Sequence, residues 1–210
     1  MLFKRFILPN YLGSKKNRLY QQSRRDFYTY RNKLSSRAAL ENILRPSTIN
    51  AQVTNTEINL NGVEFGSNPK LLIKTKGKPN YRILKGSILP GHEAFFYKRI
   101  VEGLKCIQQY HYIDGKLFFG HVEFRSIPED FDAQLEQILQ EKYQVSVKES
   151  DTIRDQQHNV IRIHKGLVKQ MSYLWGLKEI IVPLKLRIEN KDTYKAALHS
   201  NHLEKLINMI

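Results

Sequence analysis

The 210-residue sequence has one cysteine and one tryptophan, and only 20 acidic side chains against 34 Lys and Arg. Its lone thiol, Cys106, can make no intramolecular bridge, and one cysteine excludes a four-cysteine zinc site, so a reducing compartment is the natural reading. Seven prolines and eleven glycines, with 41% apolar and 26% charged residues, exclude a collagen-like repeat and wholesale disorder. No uncharged apolar run approaches the roughly 18 residues that span a bilayer, so no membrane span is expected. The shortage of acids leaves a net charge of +14. An excess of that size points to polyanionic partners, nucleic acid before anionic membranes or acidic proteins.

The charge is uneven. Residues 1–45 hold 11 basic and 2 acidic groups, residues 46–125 hold 11 and 6, residues 126–155 hold 3 and 8, and residues 156–210 hold 9 and 4. The first segment reads as a basic extension. Lys4, Arg5, Lys15, Lys16, Arg18, Arg24 and Arg25 precede its first acid, Asp26, and Arg31 follows, interleaved with Phe3, Phe6, Tyr11, Tyr20, Phe27, Tyr28 and Tyr30. Cations would neutralise phosphates while the aromatics stack on unpaired bases. An Arg-rich, acid-poor start also has the composition of a mitochondrial transit segment ending near Arg24-Arg25. A second acid-free stretch lies between Glu64 and Glu93, where Lys70, Lys74, Lys76, Lys78, Arg82 and Lys85 are punctuated by Gly66, Pro69, Gly77, Pro79, Gly86, Pro90 and Gly91. It is expected to run as a strand at 70–75 followed by a long phosphate-contacting loop, within a loop region 66–91. A solvated loop that only aids solubility is the plain alternative.

Residues 46–150 read as an α+β body. Ile58, Leu60, Val63 and Phe65 alternate about Asn61-Gly62, a two-residue hairpin pattern. Between His92 and Gln109, Phe95, Phe96, Ile100, Val101, Leu104 and Ile107 recur at three and four, which predicts a helix. Asp114-Gly115 predicts another hairpin turn. Pro128 with Glu129, Asp130 and Asp132 predicts a helix start, with Phe131, Leu135, Ile138 and Leu139 as its buried stripe. Val145–Ser150 reads as a short strand and 149–159 as a polar connector. The remainder, 156–210, reads as a βαβαβ unit: strand 160–164, helix 166–176, strand 179–188 broken by Pro183, helix 191–202 and strand 204–209. The whole is expected to be a small mixed sheet with covering helices.

Little chemistry is visible. There is no Gly-rich nucleotide motif. His199 and His202 stand three apart without the glutamate of a zinc-protease motif, so no metal is expected. Cys106 reads as a buried, inert thiol, Trp175 as core packing, and Glu129, Asp130 and Asp132 as helix-end acids rather than a magnesium cluster.

The last segment resembles the L-thirty family of large-subunit ribosomal proteins in its mitochondrial form. Val160–Ile163 stands for that family's first strand, Trp175-Gly176-Leu177-Lys178 for its Leu-Gly-Leu-Lys/Arg signature, Ile180–Val182 for the second strand, Asp192-Thr193 for the second helix start, and Leu203, Leu206, Ile207 and Met209 for the closing strand. His164-Lys165-Gly166-Leu167 replaces the family's Ser-x-Ile-Gly loop, the first helix is a turn short, and Tyr194 replaces a proline. The resemblance implies rRNA contact through Arg162, Lys165 and Lys169, and no catalysis. The expectation is therefore a structural rRNA-binding component of the mitochondrial large subunit in the matrix, packed on neighbouring ribosomal proteins, with no cofactor and no small-molecule substrate. A matrix-side accessory subunit of a respiratory or ATP-synthase complex and a small RNA-processing factor are the alternatives.

Overall fold

The computed structural model describes residues 23–45, 51–84, 89–101, 104–125, 127–146, 151–166, 168–176 and 178–189. The chain divides into two compact units, 1–32 and 33–210. Of the first, the described part is helix α1, Arg24–Arg31, where the Ser23 hydroxyl accepts from the Asp26 N–H at 3.0 Å and Arg31 lies 4.1 Å over the Phe27 ring. The basic extension was expected to run to residue 45. Leu34, Leu40 and Leu44 are instead buried in the core of the second unit, so the body begins earlier.

The second unit is a mixed α+β fold, as the sequence implied. Helices α2 (Arg37–Leu44), α3 (Pro69–Lys76), α4 (Phe131–Tyr143) and α5 (Lys178–Glu189) accompany strands β1 (Gln52–Val53), β2 (Tyr81–Ile83), β3 (His92–Val101), β4 (Leu104–Ile113), β5 (Lys116–Arg125), β6 (Thr152–Arg154), β7 (Val160–Lys165) and β8 (Lys169–Leu174). The strands form one sheet in the order β1-β6-β7-β8-β5-β4-β3-β2, parallel only between β1 and β6. Strands from 46–150 and from 156–210 thus share one sheet.

Alternation along the strands makes two buried faces. One carries Phe95, Tyr97, Tyr110, Tyr112, Val122, Ile161, Met171 and Tyr173 beneath Leu72 of α3 and Leu139 and Tyr143 of α4. The other carries Ile113, Phe118, Phe119 and Leu174 beneath Leu40 and Leu44 of α2 and Leu184 of α5.

Several expected elements change type. The expected helix at 92–109 is the β3–β4 pair. Over 94–97 both faces are covered, so Ala94, Phe95, Phe96 and Tyr97 are all buried and no polar alternation remains there, while Ile100, which completed the three-and-four spacing, is 70% exposed. Residues 70–75 are not a strand: Asn68 accepts from the Leu71 N–H at 3.0 Å, Pro69 opens the first turn, and Gly77 at φ 77° closes it, so the punctuation delimits helix α3.

Residues 169–174 are strand β8 where a helix was expected, and 178–189 are helix α5 where a strand was expected. Met171 and Tyr173 point to one face with Ser172 and Leu174 on the other, a period of two. In α5 Ile181 and Leu184, three apart, meet the core, and Pro183 sits inside the helix. The strand–strand–helix order over 160–189 therefore departs from the strand–helix–strand order that the L-thirty resemblance implies, and Gly176 precedes a helix instead of ending one.

The expected connector at 149–159 contains β6, and Val145 and Ser146 are not in a strand. Ile138 is 54% exposed, outside the stripe of Phe131, Leu135, Leu139 and Tyr143.

Other expectations agree. Asp114-Gly115 turns β4 into β5 with φ of 49° and 75°, and Asn61-Gly62 turns with 53° and 79°, though its flanks make a single bridge, Leu60 to Val63, and no strand pair. Trp175 is half-buried and stacks on Phe65 at 6.5 Å. Cys106 is buried, on β4, and burial pushes its thiol up. The expected helix 191–202, strand 204–209, His199 and His202 lie outside the described residues.

Candidate nucleic-acid interface

Helix α3 sits at the edge of the sheet beside β3. Its apolar content is short, with Leu72 buried, so Lys70 and Lys74, one turn apart, point to water. Behind its C-terminus the chain runs along β3. Tyr97 donates its hydroxyl to the Gly77 carbonyl at 3.0 Å, Arg99 donates to the Lys76 carbonyl, the Asn80 N–H donates to the Phe96 carbonyl at 2.8 Å, and the Lys98 N–H donates to Asn80 Oδ1 at 2.6 Å. β2 then continues the same edge. Arg82 lies 4.7 Å over the Phe95 ring and Arg99 lies 5.2 Å over Tyr97, so two guanidiniums rest on two aromatic rings of one strand.

The arrangement gathers Lys70, Lys74, Lys76, Lys78 and Arg82 of the expected loop along one sheet edge, and adds Arg99, which sequence reading missed because it was placed in a helix. Residues 66–91 hold no acid, and Glu93 on β3 bonds Arg82 at 2.7 Å. Burial, and then the positive charge of Arg99, pull the Lys76 ammonium below the ordinary lysine value. Lys76 and Arg99 are like charges held together, which an approaching anion would relieve. Part of this basicity is structural, since cations at the end of α3 suit the helix dipole. That role does not account for Lys78, while Arg82 is held by Glu93 and the Phe95 ring.

Other expected contacts have different roles. Arg162 spans from β7 to the end of α2, donating to the Ile43 and Arg45 carbonyls at 3.1 and 2.8 Å, and so acts as a C-cap. Lys169 pairs with Asp132 at 2.6 Å, tying β8 to the first turn of α4. Arg24 and Arg25 are exposed on α1. Lys4, Arg5, Lys15, Lys16, Arg18 and Lys85, and the side chain of Lys165, lie outside the described residues.

Sequence reading also missed a polar row beneath α2. Gln109, His121, Ser172 and Arg162 stand side by side across β4, β5, β8 and β7. Ser172 Oγ is 3.1 Å from His121 Nδ1 and 3.2 Å from His164 Nε2. Lys33 donates its backbone N–H to Gln109 at 2.9 Å and its ammonium to Gln170 Oε1 at 3.1 Å. One row further, His92 Nε2 meets His111 Nδ1 at 3.1 Å with the rings stacked. Burial holds His92 down to about 4 and His121 down to about 3, the latter helped by the positive charge of Lys33. Four histidines, His92, His111, His121 and His164, one on each of β3, β4, β5 and β7, were the available clue, legible only once the strands were known. Among the described residues no three His, Cys, Asp or Glu side chains are placed to hold a metal ion, and no helix is long and apolar enough to cross a membrane.

No known protein family, curated protein or solved structure matches the chain.

Proposed function

We propose that this protein binds RNA through the α3–β2–β3 edge, as a structural component of a ribonucleoprotein particle, with the mitochondrial ribosome as the assembly its basic, transit-like start favours. The observation that carries the reading is the run of basic side chains over three joined elements: Lys70, Lys74 and Lys76 on α3, Lys78 just after it, Arg82 on β2 and Arg99 on β3, with Arg99 bonded to the end of α3 and Glu93 of β3 bonded to Arg82. Phosphates would displace counterions from these groups. The reading rests on this placement of charge. The L-thirty resemblance contributes nothing to it, since its element order is not the one described over 160–189.

A second reading has one specific observation. Leu71 is 42% and Ile73 39% exposed between the lysines of α3, a pattern that also suits an anionic membrane surface. One experiment separates the two. The full chain is titrated with a single-stranded RNA oligonucleotide across a range of salt, and in parallel with vesicles of phosphatidylcholine and cardiolipin. RNA binding whose logarithm falls with log salt at a slope of about −4, as six contacts to a single strand require, supports the first reading. Vesicle co-sedimentation without saturable RNA binding overturns it in favour of the second.

A further inference from the structure

The polar row beneath α2 is not used by the RNA reading, and it lies on the sheet face opposite the one that α3 covers. We propose that Lys33, His164, Gln170 and Ser172 form a seat for a phosphate oxyanion.

Pairing of the strands brings these groups together from distant parts of the sequence. Ser172 on β8 stands opposite His121 of β5 on one side and Arg162 of β7 on the other, and Gln170 stands opposite Glu123 and His164 in the next row. Lys33, from the chain entering α2, reaches over this floor to Gln170. Among the described residues the neutral amide oxygen of Gln170 is the acceptor its ammonium meets, which leaves two ammonium protons for a ligand. Ser172 and His121 are buried, whereas His164 keeps part of its ring in solvent and its Nε2 on Ser172, so the row opens outward at His164.

Two chemistries compete for a hydroxyl between two imidazoles. A nucleophilic Ser172 would need His164 to take its proton and become an imidazolium. The charges acting on His164 decide against that. Burial first, and then the charges of Lys33 and Arg162, disfavour its protonated form, while Asp151 favours it. An imidazolium formed by proton transfer from Ser172 would stand beside two cations with nothing bound to offset it, whereas an incoming oxyanion brings the negative charge that lets the same ring take up a proton. An oxyanion placed there would meet the ammonium of Lys33, the hydroxyl of Ser172 and, once protonated, the ring of His164. Arg162 adds charge from behind, its Nε buried without an acceptor among the described residues while its other nitrogens hold α2. The facing acids are Glu123, which acts on Lys33 and stands near Arg125, and Asp151. A tetrahedral phosphate, with several acceptor oxygens and a proton of its own that titrates near neutrality, matches this mixture of fixed cations and titratable imidazole better than a carboxylate does.

The test is calorimetric titration of the full chain with inorganic phosphate at about pH 6 and about pH 7.5, in buffers of different ionisation enthalpy so that proton uptake is read directly. Wild type should bind saturably, more tightly at the lower pH and with uptake of a proton. Lys33→Met and His164→Gln should each weaken binding about tenfold or more, His164→Gln should abolish the proton uptake, and Lys70→Gln with Lys74→Gln should leave binding unchanged. Gln170→Glu removes no apolar packing and sets a carboxylate at the seat, so it should abolish binding even if Lys33→Met proves unstable. Competition by an RNA oligonucleotide lacking terminal phosphates identifies a backbone phosphodiester as the natural ligand, and competition only by phosphomonoesters identifies a free or terminal phosphate. Absence of saturable binding by wild type at about pH 6 overturns the proposal. So do equal affinities in wild type and in seat variants that keep their near-ultraviolet circular dichroism.

Discussion

Acid should unfold this protein by way of its buried histidines. His92, His111 and His121 are 2%, 0% and 1% exposed, and burial depresses all three, His92 to about 4 and His121 to about 3. In the unfolded chain each returns to about 6.5. A depressed histidine favours the fold fully above the unfolded value and loses that stability as pH falls from there toward its folded value. Between about pH 6.5 and 4 the unfolded state therefore binds more protons, and each such histidine contributes a slope approaching about 1.4 kcal/mol per pH unit. At about pH 5, His92 and His121 would each have cost about 2 kcal/mol, roughly 4 together, against a total that for most domains lies at about 5 to 15 kcal/mol. His111 adds in the same direction, because its bond to His92 leaves no acceptor if both rings are protonated. Urea denaturation followed by circular dichroism at several pH values measures this. The expected outcome is a midpoint that falls steeply between about pH 6.5 and 5, with the slope reduced by about one proton in His121→Asn. A midpoint unchanged over that interval would refute the reasoning.

Three further outcomes follow from particular contacts. Replacing Lys70, Lys74 and Lys78 by glutamine should weaken RNA binding at about 0.15 M salt by roughly 50-fold for a single strand, each lost phosphate contact being worth roughly fourfold there, and should lower the salt slope by about two. Filter binding reads both numbers, with the denaturation midpoint unaltered. Asp155 is buried, and its carboxylate accepts from the N–H groups of Ile58, Gln157 and Asn159 and from the Asn159 amide, at 2.8 to 2.9 Å. Asp155→Ala should cost about 3 to 5 kcal/mol in urea unfolding, since it strands buried donors in both the 51–68 segment and the β6–β7 turn. At Gly120 a Cβ would overlap the Leu60 side chain, so Gly120→Ala should cost about 1 to 3 kcal/mol, and Leu60→Ala in the same chain should restore part of it.

Turn chemistry was the most legible level of the sequence. Asp114-Gly115 and Asn61-Gly62 require left-handed backbone at both positions, and few residues other than these supply it cheaply, so their meaning does not depend on the rest of the fold. Helix α4 was legible for a related reason: it is exposed on one side, so Phe131, Leu135 and Leu139 stand out against polar neighbours. The central strands were not. Both faces are covered over 94–97 of β3 and most of β4, which erases the alternation that marks a strand and leaves a spacing that mimics a helix. The strand expected at 160–164 is β7, but segment 166–189 failed in reverse, because Ser172 and Gln170 on one face of β8 are held by His121 and Lys33 and so look like the polar side of a helix. Charge was legible as composition only. The sequence places Lys70 to Arg82 on one stretch, but the register that brings Arg99 against Lys76, and the cap that claims Arg162 for α2, are long-range facts.

Photo-cross-linking of the full chain to a uridine-rich RNA, followed by mass spectrometric mapping of the modified peptides, bears on the proposed edge without any substitution. Adducts concentrated on residues 69–82 and on the β3 peptide containing Arg99 are the expected result. Adducts distributed over α4 and α5 with none on that edge, or none at all at low salt, would contradict it.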